Sequence, residues 1–406
     1  MAGAIALLLA FLLAPNASSA QEVHGFVEGL NGVRTSSGSG FEEGTYTARE
    51  TRLQLRLSGF SDVAEYFARA DFLFDPIAGS TAQVVLREAH FTYTGLRFMD
   101  FKAGRQILTW GTGDLLFIND VFPRSWESFF IGRDIQYLKE PTDGARFSFY
   151  PSISNIELVL LPRFQPDVFP TSDRMSFYNP LGESFDPQEP TLELQNGELA
   201  LRAYRNVGSF ELALYGYWGF FRSPVGFDPQ AMQAFYPHLN VYGASLRRGV
   251  WGGVANGEYG YYDSRQDRDG TNPLIENSSS RWMIGYDRQL WTDFQIGLQG
   301  YWEYMNNHEG YKAGLRPGEY IRDQVRHLYT ARLTQWLKYQ TLRLSLFGYV
   351  SPTDEDYYVR ALASYKLSDP LEIALGANLF GGAHQETLFG QFADNNNVFV
   401  RGRYSF

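Results

Sequence analysis

Arg52, Arg56, Arg332, Arg343, Arg360, Lys366, Arg401 and Arg403 lie in runs where polar and apolar residues alternate, so all eight fall on the polar face of their runs. Such cations make and break no bonds. Held together in a confined, low-dielectric space, they concentrate anions and steer them. Glu372 is the one acid that the same phase places among them. The remaining acids of polar phase, Glu65, Asp71, Glu88, Glu157, Glu198, Glu211, Glu258, Asp287 and Glu303, fall on other runs with Arg69, Arg146, Arg163, Arg202 and Arg281. The eight cations thus read as a basic wall that needs water or a ligand nearby. The alternative is that each pairs with an acid and fills space.

Bond-making chemistry is poorly represented. The six histidines (His24, His90, His238, His308, His327 and His384) stand near no nucleophile-elbow pattern and form no metal pair at helical spacing. A hydrolase using His90 near Glu88, or His327, remains an alternative, as does a structural or adhesion barrel. The chain has no Cys, which excludes disulfides and a lipid-anchored cysteine. No cofactor, bound metal or nucleic-acid partner is expected.

The element that positions these residues is a strand with period-2 alternation. Arg52, Gln54 and Arg56 alternate with Leu53, Leu55 and Leu57, and similar stretches of about ten residues recur along the chain. Eighteen can be counted, with sixteen as an alternative. Short turns, among them Gly59–Ser61, Gly95–Arg97, Asn206–Gly208 and Ser368–Pro370, alternate with longer polar segments near 32–46, 75–83, 108–140, 164–195, 222–237, 263–279, 305–325 and 381–396. Mean hydropathy is −0.29 although 16% of residues are aromatic. Only every second strand residue need be apolar if the sheet closes on itself in lipid, so both values fit an all-β, up-and-down antiparallel transmembrane barrel. No linker or fixed-period repeat divides the chain. Residues 1–20 read as an export signal, with an apolar run from Ile5 to Leu13 that is too short to span a bilayer, and residues 21–406 as the barrel.

Segment 108–140 stands apart. It carries Leu115, Leu116, Phe117, Ile118, Phe129 and Phe130, which a solvated loop does not need, beside Asp114, Asp120, Glu127 and Asp134. The expectation is a constriction loop folded into the barrel with its acids opposite the basic wall. The alternative is a cap on the rim. Net charge is −10 despite that wall, which assigns the excess acid to loop residues such as Glu42, Glu43, Asp167, Asp173, Glu183, Asp186, Asp354, Glu355 and Asp356.

Two resemblances follow from these residues. The final strand ends in Tyr404 and Phe406, which resembles the assembly signal of outer-membrane β-barrels, although Gly402 stands where a larger apolar residue is usual. Gly104-Arg105-Gln106 followed by Trp110-Gly111 resembles a motif of Gram-negative porin-like families, including an uncharacterised porin-like group and, more distantly, alginate-export-type barrels. A bulge and turn at the glycines, with Trp110 in an outer aromatic girdle, is the structural alternative. The resemblance implies an 18-stranded outer-membrane channel with a basic lumen, for an anionic or amphipathic solute. Its implied partners are membrane lipid and lipopolysaccharide, the barrel-assembly machinery and the solute, with a monomer and a homotrimer both open.

Overall fold

The alternation produces eighteen barrel strands: β1 (Gln21–Arg34), β2 (Tyr46–Phe60), β3 (Ala64–Phe74), β4 (Ala82–Leu96), β5 (Met99–Gln106), β6 (Thr142–Phe149), β7 (Asn155–Leu161), β8 (Glu198–Val207) and β9 (Phe210–Phe220), then β10 (His238–Val250), β11 (Gly253–Ser264), β12 (Ser279–Trp291), β13 (Phe294–Met305), β14 (Val325–Leu337), β15 (Leu342–Ser351), β16 (Asp356–Lys366), β17 (Leu371–Gly382) and β18 (Asn397–Ser405). This computed structural model describes residues 21–38, 40–79, 81–178 and 186–406, so residues 1–20, expected to be an export signal, and Glu183 lie outside the described residues. Each strand pairs antiparallel with the next, and β18 pairs back onto β1 from Phe26↔Ser405 to Arg34↔Asn397. The sheet is therefore a closed barrel without a free edge. At the seam, Gly25 and Phe406 exchange backbone hydrogen bonds of 2.9 Å, and a Cβ on Gly25 would sit 2.7 Å from the Phe406 ring.

Side chains divide as a period of two requires. Leu212 and Leu214 on β9 are exposed while Ala213, Tyr215 and Tyr217 are buried; on β17, Ile373, Leu375 and Leu379 are exposed while Ala374, Asn378 and Phe380 are buried. A single sheet has no second layer to cover its inner face. Burial of that face means that the bore is largely filled.

The short turns fall where the sequence placed them. One connection at the other end is too short to show as a polar segment: β15 and β16 join through residues 352–355 alone. There the Ser351 hydroxyl accepts from the Asp354 amide at 3.1 Å and Glu355 takes a positive φ, so four residues complete the turn. Asp356, expected in a solvated loop, instead opens β16, is buried, and accepts the Phe389 amide at 2.8 Å. Arg163, expected on a strand, is exposed just beyond β7. The long connections carry two short helices, α1 (Trp126–Phe130) and α2 (His308–Gly314), and a small hairpin, Gly226–Asp228 with Gln233–Phe235.

Candidate functional site

The bore is filled chiefly by the connection between β5 and β6, residues 107–141. Its entry is set by the glycine-rich motif. Gly104 has φ +121°, and a Cβ there would lie 2.2 Å from the Ala89 carbonyl oxygen, so a side chain would force β5 away from β4. Arg105 donates through Nε to the Leu86 carbonyl at 2.8 Å and through one Nη to both Asp143 oxygens, while Gln106 donates to the Gly144 carbonyl. These bonds tie the end of β5 to both neighbours. Trp110 then turns inward rather than standing in an outer girdle. Its indole N–H donates to Glu157 on β7 at 3.0 Å, and its ring lies 5.0 Å from Phe122 and 6.0 Å from Tyr215.

At Gly111, which has φ +80°, the loop meets Glu258 of β11. That carboxylate accepts from the backbone amides of Thr112, Gly113 (2.9 Å) and Asn119 (3.1 Å), the Thr112 hydroxyl and the Asn119 side-chain amide. A charged acceptor holding several donors is a strong local anchor. Farther along, Gln299 of β13 exchanges hydrogen bonds with the Asp114 backbone, and the Asp114 carboxylate pairs with Arg332 of β14 at 2.8 Å. Tyr349 of β15 donates to the Leu115 carbonyl, and Arg360 of β16 donates to the carbonyls of Phe129 (3.2 Å) and Arg133 (2.8 Å). Asp134 reaches Arg401 at 3.0 Å and Arg403 at 3.5 Å on β18, and Arg133 reaches Glu50 on β2 at 2.6 Å. The loop is thus bonded to inward side chains around most of the barrel.

Apolar packing joins these polar ties. Leu108, Trp110, Leu116, Ile118, Phe122, Phe129, Phe130 and Ile131 form one buried cluster with inward wall residues, among them Val159, Tyr215, Tyr262, Tyr358, Phe380 and Phe399. Phe130 lies 5.4 Å from Tyr358 and 5.2 Å from Phe380, both edge to face. Phe399 fits because Gly376 on the wall and Gly132 in the loop leave room for its ring. Each fully buried ring contributes about 2 kcal/mol by leaving water.

The wall itself differs from the sequence expectation in its pairing. Arg52 binds Asp71 and, at 3.4 Å, Glu50; Arg403 binds Glu28 at 2.6 Å; Arg401 binds Glu28 at 3.6 Å as well as Asp134. Glu28 and Glu50 are inward acids that the alternation does not reveal, so these cations are compensated. Arg56 is exposed, with its guanidinium 5.1 Å from the Phe67 ring centre, and Lys366 is exposed near the turn end. Arg343 is half-buried, and among the described residues it has no ion-pair partner and its Nε no hydrogen-bond acceptor. Asp114 and Asp134 meet the wall. Asp120 instead pairs with Lys139 of its own loop, and Glu127 with Arg133 (3.2 Å) and Arg174 (3.5 Å). Arg174, in the β7–β8 connection, had no signal in the sequence. It is fully buried and also binds Asp75, so a second loop enters the bore. Burial raises the Asp134 carboxyl, but Arg401 and Arg403 outweigh it and hold the group below its ordinary value of 3.8. Neither histidine considered for catalysis has a carboxylate partner among the described residues: His90 stacks on Phe67, and His327 Nδ1 lies 3.0 Å from the Thr353 hydroxyl.

Several cavities remain among the described residues, and two of them bear on transport. The larger, about 460 Å³, lies toward the long loops and is lined by residues including Phe117, Trp126, Arg281, Glu303, Tyr320 and Asp354. The smaller, about 260 Å³, lies toward the turns and has Arg332, Arg343, Arg360 and Arg401 on its wall with Asp134 as its one acid. This barrel, with a long inward loop between β5 and β6, matches known structures over nearly its whole length. Pseudomonas aeruginosa OccD3 (OpdP) matches with TM-score 0.55 and 10% identity over 95% of this chain and 91% of that one. Acinetobacter baumannii OccAB4 matches at 0.58 and 10% over 97% and 100%, and Pseudomonas aeruginosa OccK2 (OpdF), solved in complex with glucuronate, at 0.58 and 7% over 95% and 98%. The chain shares the fold of these structures, here a closed barrel of 18 strands. No family model matches the sequence, and no curated protein matches it significantly.

Proposed function

We propose that this protein is an outer-membrane channel through which small polar, anionic solutes diffuse. Its exposed band of Leu, Val, Ile and aromatic residues suits hydrocarbon, and its closed backbone leaves no unpaired edge there. One observation carries the choice of solute: the cavity near the turns presents four arginines against one acid, and Arg343 among them has no ion-pair partner among the described residues. A cation left half-buried without a counter-charge is a standing attraction for a mobile anion. The complex of OccK2 with glucuronate is consistent with carboxylate solutes in a barrel of this fold.

Planar-bilayer recording tests this reading. Arg343 is the cleanest probe because its replacement breaks no ion pair. The wild type should favour anions, and Arg343→Gln should move the reversal potential toward cations, more so at low salt, where the Debye length exceeds about 10 Å. An unchanged reversal potential in a correctly folded Arg343→Gln barrel would refute the anionic assignment.

A further inference from the structure

Leu115 lines both cavities, and among the described residues no other does. The wall agrees with the loop about where the boundary lies. On β15, Phe347 lines the smaller cavity, and Tyr349, the next inward residue, lines the larger one. Their rings are 4.8 Å apart, and the Tyr349 hydroxyl donates to the Leu115 carbonyl, which fixes the loop at that level. Phe129 completes the apolar surface on the side of the turns and Leu116 on the side of the long loops.

Leu115 also has φ +60°, a conformation that costs an ordinary side chain but not glycine. The loop uses glycine at 111 and 113 close by, yet Leu stands at 115. Strain of this kind is held by bonds on both sides, at Asp114 and at the Leu115 carbonyl, and by packing of the side chain on the buried cluster, so the side chain is kept at this level of the bore.

We infer that Leu115 is the gate of the channel: with Phe347 and Tyr349 it forms an apolar barrier between two polar chambers. Water and ions leave such a constriction readily, whereas a solute with an apolar face displaces little water in crossing it. Leu115 therefore selects amphipathic anions over inorganic ones. The inference rests on the channel reading above, and the test separates the two.

Single-channel conductance in potassium chloride would be compared for the wild type, Leu115→Gly and Leu115→Asn, with folding checked by heat-modifiable electrophoretic mobility. Gly removes the side chain, and Asn keeps comparable length while making it polar and tolerating positive φ. Both should raise conductance roughly twofold or more. The melting temperature should change little, because relief of backbone strain offsets the packing that Leu115 loses against the buried cluster. Conductance equal to that of the wild type in both variants, with the wild type conducting, overturns the gate and leaves the channel reading standing. Folded, inserted barrels that carry no current in any of the three would remove the channel reading itself and the gate with it.

Discussion

Asn119 and Glu258 clasp each other at the wall of the bore: the backbone amide and the side-chain amide of the loop residue both donate to one carboxylate oxygen on β11, at 3.1 and 2.8 Å. The other oxygen takes the amides of Thr112 and Gly113. Eight residues of loop are thus gathered around one side chain, which makes Glu258 the pin of the filled interior. Glu258→Ala leaves these donors without their acceptor. The expected cost is about 2–3 kcal/mol of local stability, seen as faster hydrogen exchange at Thr112, Gly113 and Asn119. Unaltered protection at those amides would show that the apolar cluster alone fixes the loop.

Asp114 and Arg332 are each about one-third exposed, at 34% and 31% of their side-chain surface. Their pair should therefore matter little to stability, within about 1 kcal/mol. It should matter to charge. Asp114→Asn frees Arg332 at the cavity wall, and anion preference in bilayer recordings should rise as the melting temperature stays within a few degrees. A shift toward cations would contradict this account of the pair.

Asp134 supplies a pH dependence with a definite sign. Burial raises its carboxyl, but Arg401 and Arg403 more than offset this, so its folded-state affinity for a proton is lower than in the unfolded chain. Its contribution is present above the ordinary value of 3.8 and is lost as pH falls through the depressed folded value. The wild type should lose stability on acidification from pH about 5 to about 2, and Asp134→Asn should lose less over that window. Parallel curves for the two proteins would place the acid sensitivity elsewhere.

The sequence carried the wall better than its contents. Outward residues such as Leu53, Leu55 and Leu57 repeat every second position because lipid meets each of them, and that signal is local. The inward face follows no such rule once a loop packs on it. On β1, Phe26 and Leu30 are buried inward beside Glu28, so polar and apolar residues share one face and Glu28 could not be phased. Arg174 was illegible for another reason: it lies in an irregular segment, and only the fold brings it to Asp75 and Glu127. The apolar content of 107–141 did point inward. Its partners on the wall, Glu258, Gln299 and Tyr349, belong to strands far along the chain, and no spacing in the sequence joins them.

The seam between β1 and β18 has a consequence for how the molecule comes into being. Arg403 donates to Glu28 across 375 residues of chain, so this junction is out of reach of local zippering, in which each hairpin adds to the one before. Until β18 has been made, β1 exposes a raw row of amides and carbonyls, and so does the growing opposite margin. Closure therefore depends on the two ends of the chain meeting, and a sheet that lacked β18 would keep two unpaired margins open to any other strand.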